Sequence, residues 1–404
     1  MTTRDGGARI LIYSHDSFGL GHLRRCRTIA QSLVGAFDDL SVLILSGSPL
    51  IGSFEFRSRV DFVRVPGVIK HKDGGYTSLH LPFDIERTVA LRESIIRQTA
   101  LAFDPDIFIV DKEPLGLRGE VEETLKALKA RGTKCVLGLR DILDEPAHLA
   151  PEWTRKQVAP ALEALYDEIW VYGLPQVYEP LEGLDLAPSI ARKTVYTGYL
   201  RTELPKPPVG PAAVSLPAWE HPYILATAGG GDGEALFDWV LKAYEADPAI
   251  PHPALLVLGP FMAPQTQEGF MARVARLSNV FAITFDAHIE HLMNRAAAVV
   301  AMGGYNTFCD ILSFDKPALL LPRTQPRLEQ AIRATRAQEL GFVSMLYDEI
   351  PHDPLRMATA LRHLPQQAHP SSVVVPGVLD GLDNIGRLVS RALTERRRPM
   401  VVSV

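Results

Sequence analysis

The sequence predicts two α/β domains in tandem, each a doubly wound parallel sheet. Three observations carry that reading. The chain has 404 residues, beyond the size at which one core usually stops growing. Short apolar runs alternate with stretches of helical spacing in both halves. Near the middle, "LPKPPVGPAAVSLPAW" (204–219) breaks the alternation, because so proline-rich a stretch continues neither a helix nor a strand.

The apolar runs of the first half are residues 9–13, 41–45, 61–65, 106–110, 134–139, 168–172 and 193–197. Runs of this kind read as strands buried on both faces of a parallel sheet. Between the first two, Leu23, Cys26, Ile29, Ala30 and Leu33 recur at steps of three and four, the stripe of an amphipathic helix. After the break the alternation restarts at 222–227, 254–259, 279–284, 297–302, 317–321 and 342–346. Strand and helix in repetition mean βαβ units. The expected organisation is an N-terminal domain over 1–203, a linker over 204–219, a second domain over 220–375 and a C-terminal helix over 376–404, which could cross back to the first domain. Arg396 and its neighbours read as the solvated, dipole-favoured end of that helix.

Composition excludes several classes. The net charge of −5 argues against a nucleic-acid partner, which would demand a basic excess. The three cysteines, Cys26, Cys135 and Cys309, are far apart; they suggest neither a metal site nor a disulfide framework, and a reducing compartment fits. No apolar run reaches the length of a membrane span, and the N-terminal run is too short for a signal peptide core. The expected location is cytoplasmic, with peripheral contact at the inner membrane face as an option.

In open parallel sheets, ligands bind beyond the carboxyl ends of the strands. Four stretches fall there. "SHDSFGLGH" (14–22) follows the first strand. Gly19 and Gly21 allow close ligand approach, and His22 at the helix start is a candidate general base; the alternative is a histidine that only ties the loop. "ATAGGGDGEAL" (226–236) exposes the N–H groups of Gly229, Gly230 and Gly231 as a cradle for phosphate oxygens, or is a plain turn. In "AMGGYNTFCDIL" (301–312), Gly303 and Gly304 turn, Asn306 and Thr307 cap a helix, and Asp310 one turn on can accept ribose hydroxyls or merely complement the helix terminus. In "LPRTQPRLEQAIRATRAQELG" (321–341), Arg323 follows a strand, and Glu329 and Gln330 open a helix with acceptors and a donor suited to sugar hydroxyls. Leu328, Ile332 and Leu340 are read as that helix's buried side.

At these residues the chain resembles the GT-B glycosyltransferases, and within them the MurG-like group, with "FGLGHLRR" and "GGYNT...P-R-x-x-P-R-x-E-Q" pointing to an uncharacterised bacterial branch. The resemblance implies two Rossmann-like domains facing across a cleft, the donor mainly on the C-terminal one and the acceptor on the N-terminal one. It implies Gly304, Asn306 and Thr307 near the phosphates. Asp310 falls where the family has its ribose-binding glutamate, one methylene shorter. Glu329 and Gln330 fall on the sugar-contacting pair, and Phe285 on the segment whose backbone reads the base. His22 falls on the family's loop histidine. In "VDKEPLG" (110–116), Asp111 and Glu113 are rival bases, and Lys112 could hold an acidic acceptor. Arg140 and Asp141 form a cleft pair or a structural one.

The expected chemistry is transfer of a sugar from a nucleotide-diphosphate donor, with a UDP-sugar such as UDP-GlcNAc as the first choice, to an acceptor hydroxyl, inverting by family resemblance. The acceptor is a carbohydrate, a lipid-linked molecule or a small molecule. No cofactor or metal is expected, since helix starts and loop N–H groups can stabilise the departing diphosphate. The one Asp-x-Asp, at 104–106, sits before a strand and reads as a turn. The stretches 48–60 and 67–76 offer an apolar, basic patch or loops. The rival readings are a nucleotide-sugar 2-epimerase or hydrolase on the same fold, and a non-catalytic nucleotide-sugar-binding protein.

Overall fold

A computed structural model of the chain describes residues 7–15, 21–71, 75–205, 216–229, 233–347 and 351–397. The chain divides into two compact units, Met1–Leu200 with Gly377–Val404, and Arg201–Pro376. Most of the stretch expected as the linker, residues 206–215, lies outside the described residues.

The strands of the first unit are β1 (Ala8–Ser14), β2 (Leu40–Ser46), β3 (Val60–Arg64), β4 (Val68–Lys70), β5 (Tyr76–Ser78), β6 (Ile107–Asp111), β7 (Lys134–Arg140), β8 (Glu168–Tyr172) and β9 (Thr194–Tyr196). Its helices up to residue 200 are α1 (Gly21–Ala36), α2 (Ile85–Phe103), α3 (Glu122–Ala130), α4 (Pro146–Arg155), α5 (Val158–Leu165) and α6 (Pro188–Lys193). Seven strands form one sheet in the order β3-β2-β1-β6-β7-β8-β9, every pair of them parallel. β4 and β5 make a separate antiparallel hairpin. Of the two readings of 67–76, the loop is corrected: the first arm of that hairpin and the start of the second lie inside it.

The second unit carries β10 (Ile224–Thr227), β11 (Ala254–Val257), β12 (Val280–Ile283), β13 (Ala298–Ala301), β14 (Ala318–Leu320) and β15 (Ser344–Met345), with α7 (Glu234–Ala246), α8 (Pro264–Val274), α9 (Ile289–Arg295), α10 (Tyr305–Ser313), α11 (Glu329–Glu339) and α12 (Pro354–His363). Its order is β12-β11-β10-β13-β14-β15, again all parallel.

Both sheets are built from the middle outward. The winding starts at β1 or β10, runs to one edge, then returns to the other side of the starting strand as β6 or β13. At that reversal the connections leave the carboxyl ends in opposite directions and open a crevice. The central strands can sit there because both faces are apolar: β6, β10 and β13 are buried throughout. Tyr13, Phe108, Val110, Leu137 and Leu162 belong to the core of the first unit, and Phe237, Trp239, Tyr244, Leu256 and Val300 to that of the second.

The chain ends in α13 (Gly381–Arg397), part of the first unit. The segment leading into it docks on β9's extension: Tyr199 N–H donates to Val378 O at 2.8 Å and Gly381 N–H to Tyr199 O at 3.1 Å, while Asn384 Nδ2 donates to Thr197 O at 2.7 Å. The approach is close enough to require glycine. A Cβ at Gly381 would lie 2.6 Å from the carbonyl oxygens of Gly198 and Tyr199. Arg396, expected as a solvated helix end, is exposed and also pairs with Asp106 at 2.9 Å, donating to Pro105 O at 3.3 Å.

Two glycines of α13 should therefore respond oppositely to alanine. Gly381→Ala pushes on backbone and should cost about 1–3 kcal/mol. A Cβ at Gly386 meets nothing within 4 Å, so Gly386→Ala should stabilise by about 0.5–1 kcal/mol through helix propensity. Urea unfolding of the two variants measures both signs.

Candidate functional site

In the first unit the crevice lies where β1 and β6 end. α1 begins at Gly21, so His22 sits in its first turn; Gly19 lies outside the described residues. Three positions on, Arg25 shares His22's helix face and is buried. Asp111 is the last residue of β6 and 1% exposed. Arg25 grips it with a fork, Nε to Oδ1 at 2.8 Å and Nη2 to Oδ2 at 2.6 Å. His22 Nδ1 meets the same Oδ2 at 2.5 Å.

The charges follow from this geometry. Burial alone would raise the Asp111 carboxyl, but Arg25 and His22 overcome it and hold it below the usual carboxylate range. An ionised carboxylate only accepts, so His22 Nδ1 carries the proton and donates. That leaves the lone pair on Nε2, the tautomer a base requires. Burial lowers His22 below its ordinary value, opposed by Asp111 and reinforced by Arg25 and Lys112. The cause is burial rather than the helix start that the sequence suggested.

The two rival bases each sit beside cations. Asp111 is buried and paired with both Arg25 and His22. Glu113 lies 3.0 Å from Lys156 Nζ and 3.7 Å from Lys112 Nζ. Burial would raise it, but Lys112, His15 and Lys156 hold it below the carboxylate range. Asp141 accepts from Tyr199 Oη at 3.0 Å and from Ile142 N at 2.8 Å, a structural arrangement.

Behind His22 a buried polar chain crosses the unit. Arg92 on α2 forks onto Glu120 at 2.6 Å twice and donates to Pro66 O at 2.6 Å. Tyr13 Oη gives its proton to Glu120 Oε1 at 2.6 Å and accepts from Leu117 N at 3.2 Å. With that proton committed, the 3.4 Å contact between Tyr13 Oη and His15 Nδ1 has the histidine donating. His15 is 5% exposed, and burial pulls its pKa well down. Its ring meets that of His22 edge to face, centroids 5.8 Å apart.

In the second unit the corresponding crevice lies between β10 and β13. Gly229 follows β10 with φ +75°, in open space; Gly230 and Gly231 lie outside the described residues. α10 starts at Tyr305 with Gly304 as its N-cap and no side-chain cap, so the capping role expected of Asn306 and Thr307 falls to a glycine. Both are half-buried in the first turn, where helix N–H groups lack intrahelical acceptors. Gly303 takes φ +79°, and its carbonyl accepts from Arg333 Nη1 at 2.9 Å. Phe285 is half-buried just past β12.

α11 turns its polar residues inward. Leu328, Ile332 and Leu340 are only half-buried, whereas Glu329, Gln330 and Arg333 are buried, Arg333 at 0%. Gln330 Oε1 accepts from Arg323 N at 3.2 Å. Arg333 also lies over the Tyr305 ring at 5.9 Å. Asp310 is 2% exposed, and its Oδ1 accepts from Thr202 Oγ1 at 2.6 Å. Sequence reasoning missed Arg25, Arg333 and Thr202. The first two stand three and four positions from His22 and Glu329 on their helices, and that spacing was the available signal. Thr202 gave none.

The arrangement has relatives. No family model matches the chain. An uncharacterized glycosyltransferase of Methanosarcina acetivorans is 25% identical over 397 residues, which cover 94% of this chain and 97% of that protein. One from Methanosarcina mazei is 24% identical over 349 residues, 82% of this chain and 84% of that one. Both are archaeal, where the motif resemblance points to a bacterial branch. Among solved structures, CalG4, the calicheamicin glycosyltransferase, superposes with a TM-score of 0.59 at 16% identity, covering 97% of this chain and all of that one. MurG of Acinetobacter baumannii gives 0.55 at 10%, covering 95% and 99%. UDP-GlcNAc 2-epimerase of Neisseria meningitidis, bound to UDP-GlcNAc, gives 0.61 at 14%, covering 96% and 100%. At such identities the likeness establishes the fold, two Rossmann-like α/β units of the GT-B class. Among the described residues no helix is long and apolar enough to cross a membrane.

His22 should titrate below its ordinary value of 6.5. Because its folded pKa is depressed, the associated stability is present above the unfolded value and is lost as pH falls through the folded one. Asp111→Asn removes the main group raising it and should lower it further. Imidazole NMR across pH 4 to 8 (a range of about the width needed) reads both; a His22 midpoint above 6.5 contradicts the assignment.

Proposed function

We propose that this chain, a glycosyltransferase of the GT-B fold, moves a sugar from a nucleotide-diphosphate donor to an acceptor hydroxyl, with His22 as general base. The observation that carries the reading is the His22–Asp111 pair at 2.5 Å, in the crevice between β1 and β6. The acceptor O–H gives its proton to His22 Nε2 while its oxygen attacks the anomeric carbon. The bond from that carbon to the diphosphate oxygen breaks, and the nucleoside diphosphate leaves with the electron pair. Asp111 stabilises the imidazolium that forms, as the orienting carboxylate does in other base–carboxylate pairs. One displacement inverts the anomeric centre.

The negative charge on the leaving group falls to the second unit. Gly229, Gly303, Gly304, Asn306 and Thr307 contribute backbone N–H groups and a helix start. Arg333, held against Gly303 O, keeps the turn in shape and adds a positive charge beneath it. Asp310 is assigned to the ribose, Phe285 to the base, and Arg323, Glu329 and Gln330 to the donor sugar. A UDP-sugar such as UDP-GlcNAc is the first donor to test.

The likeness to the epimerase favours a second reading, interconversion of the donor sugar without an acceptor. Incubation with UDP-GlcNAc alone separates the two: appearance of an epimer identifies that activity, while release of UDP only in the presence of an acceptor supports transfer. For the transferase, His22→Gln should lower kcat by about 10²–10⁴-fold and leave the donor Kd unchanged in calorimetry. Transfer at the original rate in that variant would remove His22 from the reaction.

A further inference from the structure

Building on the reading of His22 as the base, we infer that Ser14 and Tyr172 are positioning residues. They are two buried hydroxyls on either side of Asp111, whose O–H dipoles hold its negative charge and weaken its pull on a proton at His22.

The sheet places both. Tyr13 of β1 pairs with Val110 of β6, so the next step along the two strands sets Ser14 beside Asp111, with both side chains on one face. It is the face covered by α1, where Arg25 and His22 meet the carboxylate. On its other side Asp111 is in register with Gly138 of β7. The phenol of Tyr172 fills the place of the missing side chain there: a Cβ on Gly138 would lie 2.1 Å from Tyr172 Oη. Ser14 and Tyr172 are both 0% exposed, and neither hydroxyl has a hydrogen-bond partner among the described residues. Other buried hydroxyls of this unit are satisfied. Ser46, in register with Ser14 on β2, accepts from Ser48 N at 3.1 Å, and Tyr199 Oη donates to Asp141.

A buried hydroxyl without a partner costs stability that an apolar group of the same shape does not. Packing alone would therefore favour alanine at 14 and phenylalanine at 172. What the two hydroxyls face instead is a buried charge, and a hydroxyl tied to nothing else can turn its proton toward it. Tyr172 keeps that proton. Burial pushes its pKa well up, Asp111 and Cys26 add to the rise, and Arg25 opposes it. With their protons toward Asp111, the two dipoles act in the same sense as Arg25 and count against a positive charge on His22. The remaining groups that face His22 are Asp111, which favours its protonation, Lys112, which opposes it, and His15, whose ring lies against it.

Imidazole NMR on the full chain reads His22 without any substrate. Ser14→Ala and Tyr172→Phe should each raise the His22 midpoint by about 0.3 pH units or more, with thermal stability held or raised. Thr124 supplies the control. Its hydroxyl is also buried without a partner among the described residues, but it stands on α3, whose Leu125 and Leu128 pack into the core on the sheet's other face. Thr124→Val should leave the midpoint where it is. An unmoved midpoint in Ser14→Ala or Tyr172→Phe removes that residue from the role, and unmoved midpoints in both overturn the inference, as does an equal rise in Thr124→Val. A clear loss of thermal stability in either variant also overturns the role of that residue, because its hydroxyl is then a structural one. The His22→Gln assay tests the base by itself, so failure of that role and failure of this one are told apart.

Discussion

Asp111 is a carboxylate almost wholly removed from water, and a buried charge of that kind persists only where fixed partners replace the lost hydration. Arg25 supplies the replacement with two parallel bonds. The two residues come from the elements that flank the reversal in the first sheet, α1 after β1 and the end of β6, so their pairing fixes how α1 is turned on its axis. His22 then inherits its position, one turn before Arg25. The pocket for this pair depends on a missing side chain as well. Asp111 is in register with Gly138 of β7, where a Cβ would come within 2.1 Å of the Tyr172 hydroxyl. Losing one partner of a buried pair costs about 3–5 kcal/mol, so the sheet, the helix phase and the base stand or fall together.

The two crevices share a topology and differ in the charge they collect. The first gathers side-chain charges, Arg25 with Asp111 and Arg92 with Glu120, in balanced pairs around two neutral imidazoles. The second presents glycines and a helix start, with one buried arginine under the turn. A base must remain uncharged until it reacts, which balanced pairs allow. A departing diphosphate develops negative charge, which backbone N–H groups and a cation accept without rearrangement.

Much of this was legible in the sequence because parallel central strands must be apolar on both faces. The runs at 106–110, 222–227 and 297–302 could be nothing else, and they mark the strand ends where ligands bind. His22 and Asp111 were found in that way, but as rivals. Eighty-nine positions separate them, and only the parallel pairing of β1 with β6 shows that they meet. The inward face of α11 was misread for a physical reason too. Apolar residues are the usual inner face of a helix, and this one buries Glu329, Gln330 and Arg333 instead, with Gln330 bonded to Arg323 N and Arg333 to Gly303 O. The β4–β5 hairpin escaped notice because arms of three residues carry too little alternation to register.

The second histidine bears on the proposed role of the first as a base. Turning His22 into an imidazolium places a positive charge in a buried site, which Asp111 offsets while Arg25 and Lys112 oppose it, so any further cation close by adds to the cost. His15, with its ring centre 5.8 Å away, would be such a cation if it were protonated. Burial prevents this, drawing its pKa well down, and the commitment of the Tyr13 proton to Glu120 fixes its tautomer with Nδ1 donating. Arg92 in turn holds Glu120 in place to receive that proton. The buried chain from Arg92 to His15 therefore spares His22 one more neighbouring cation.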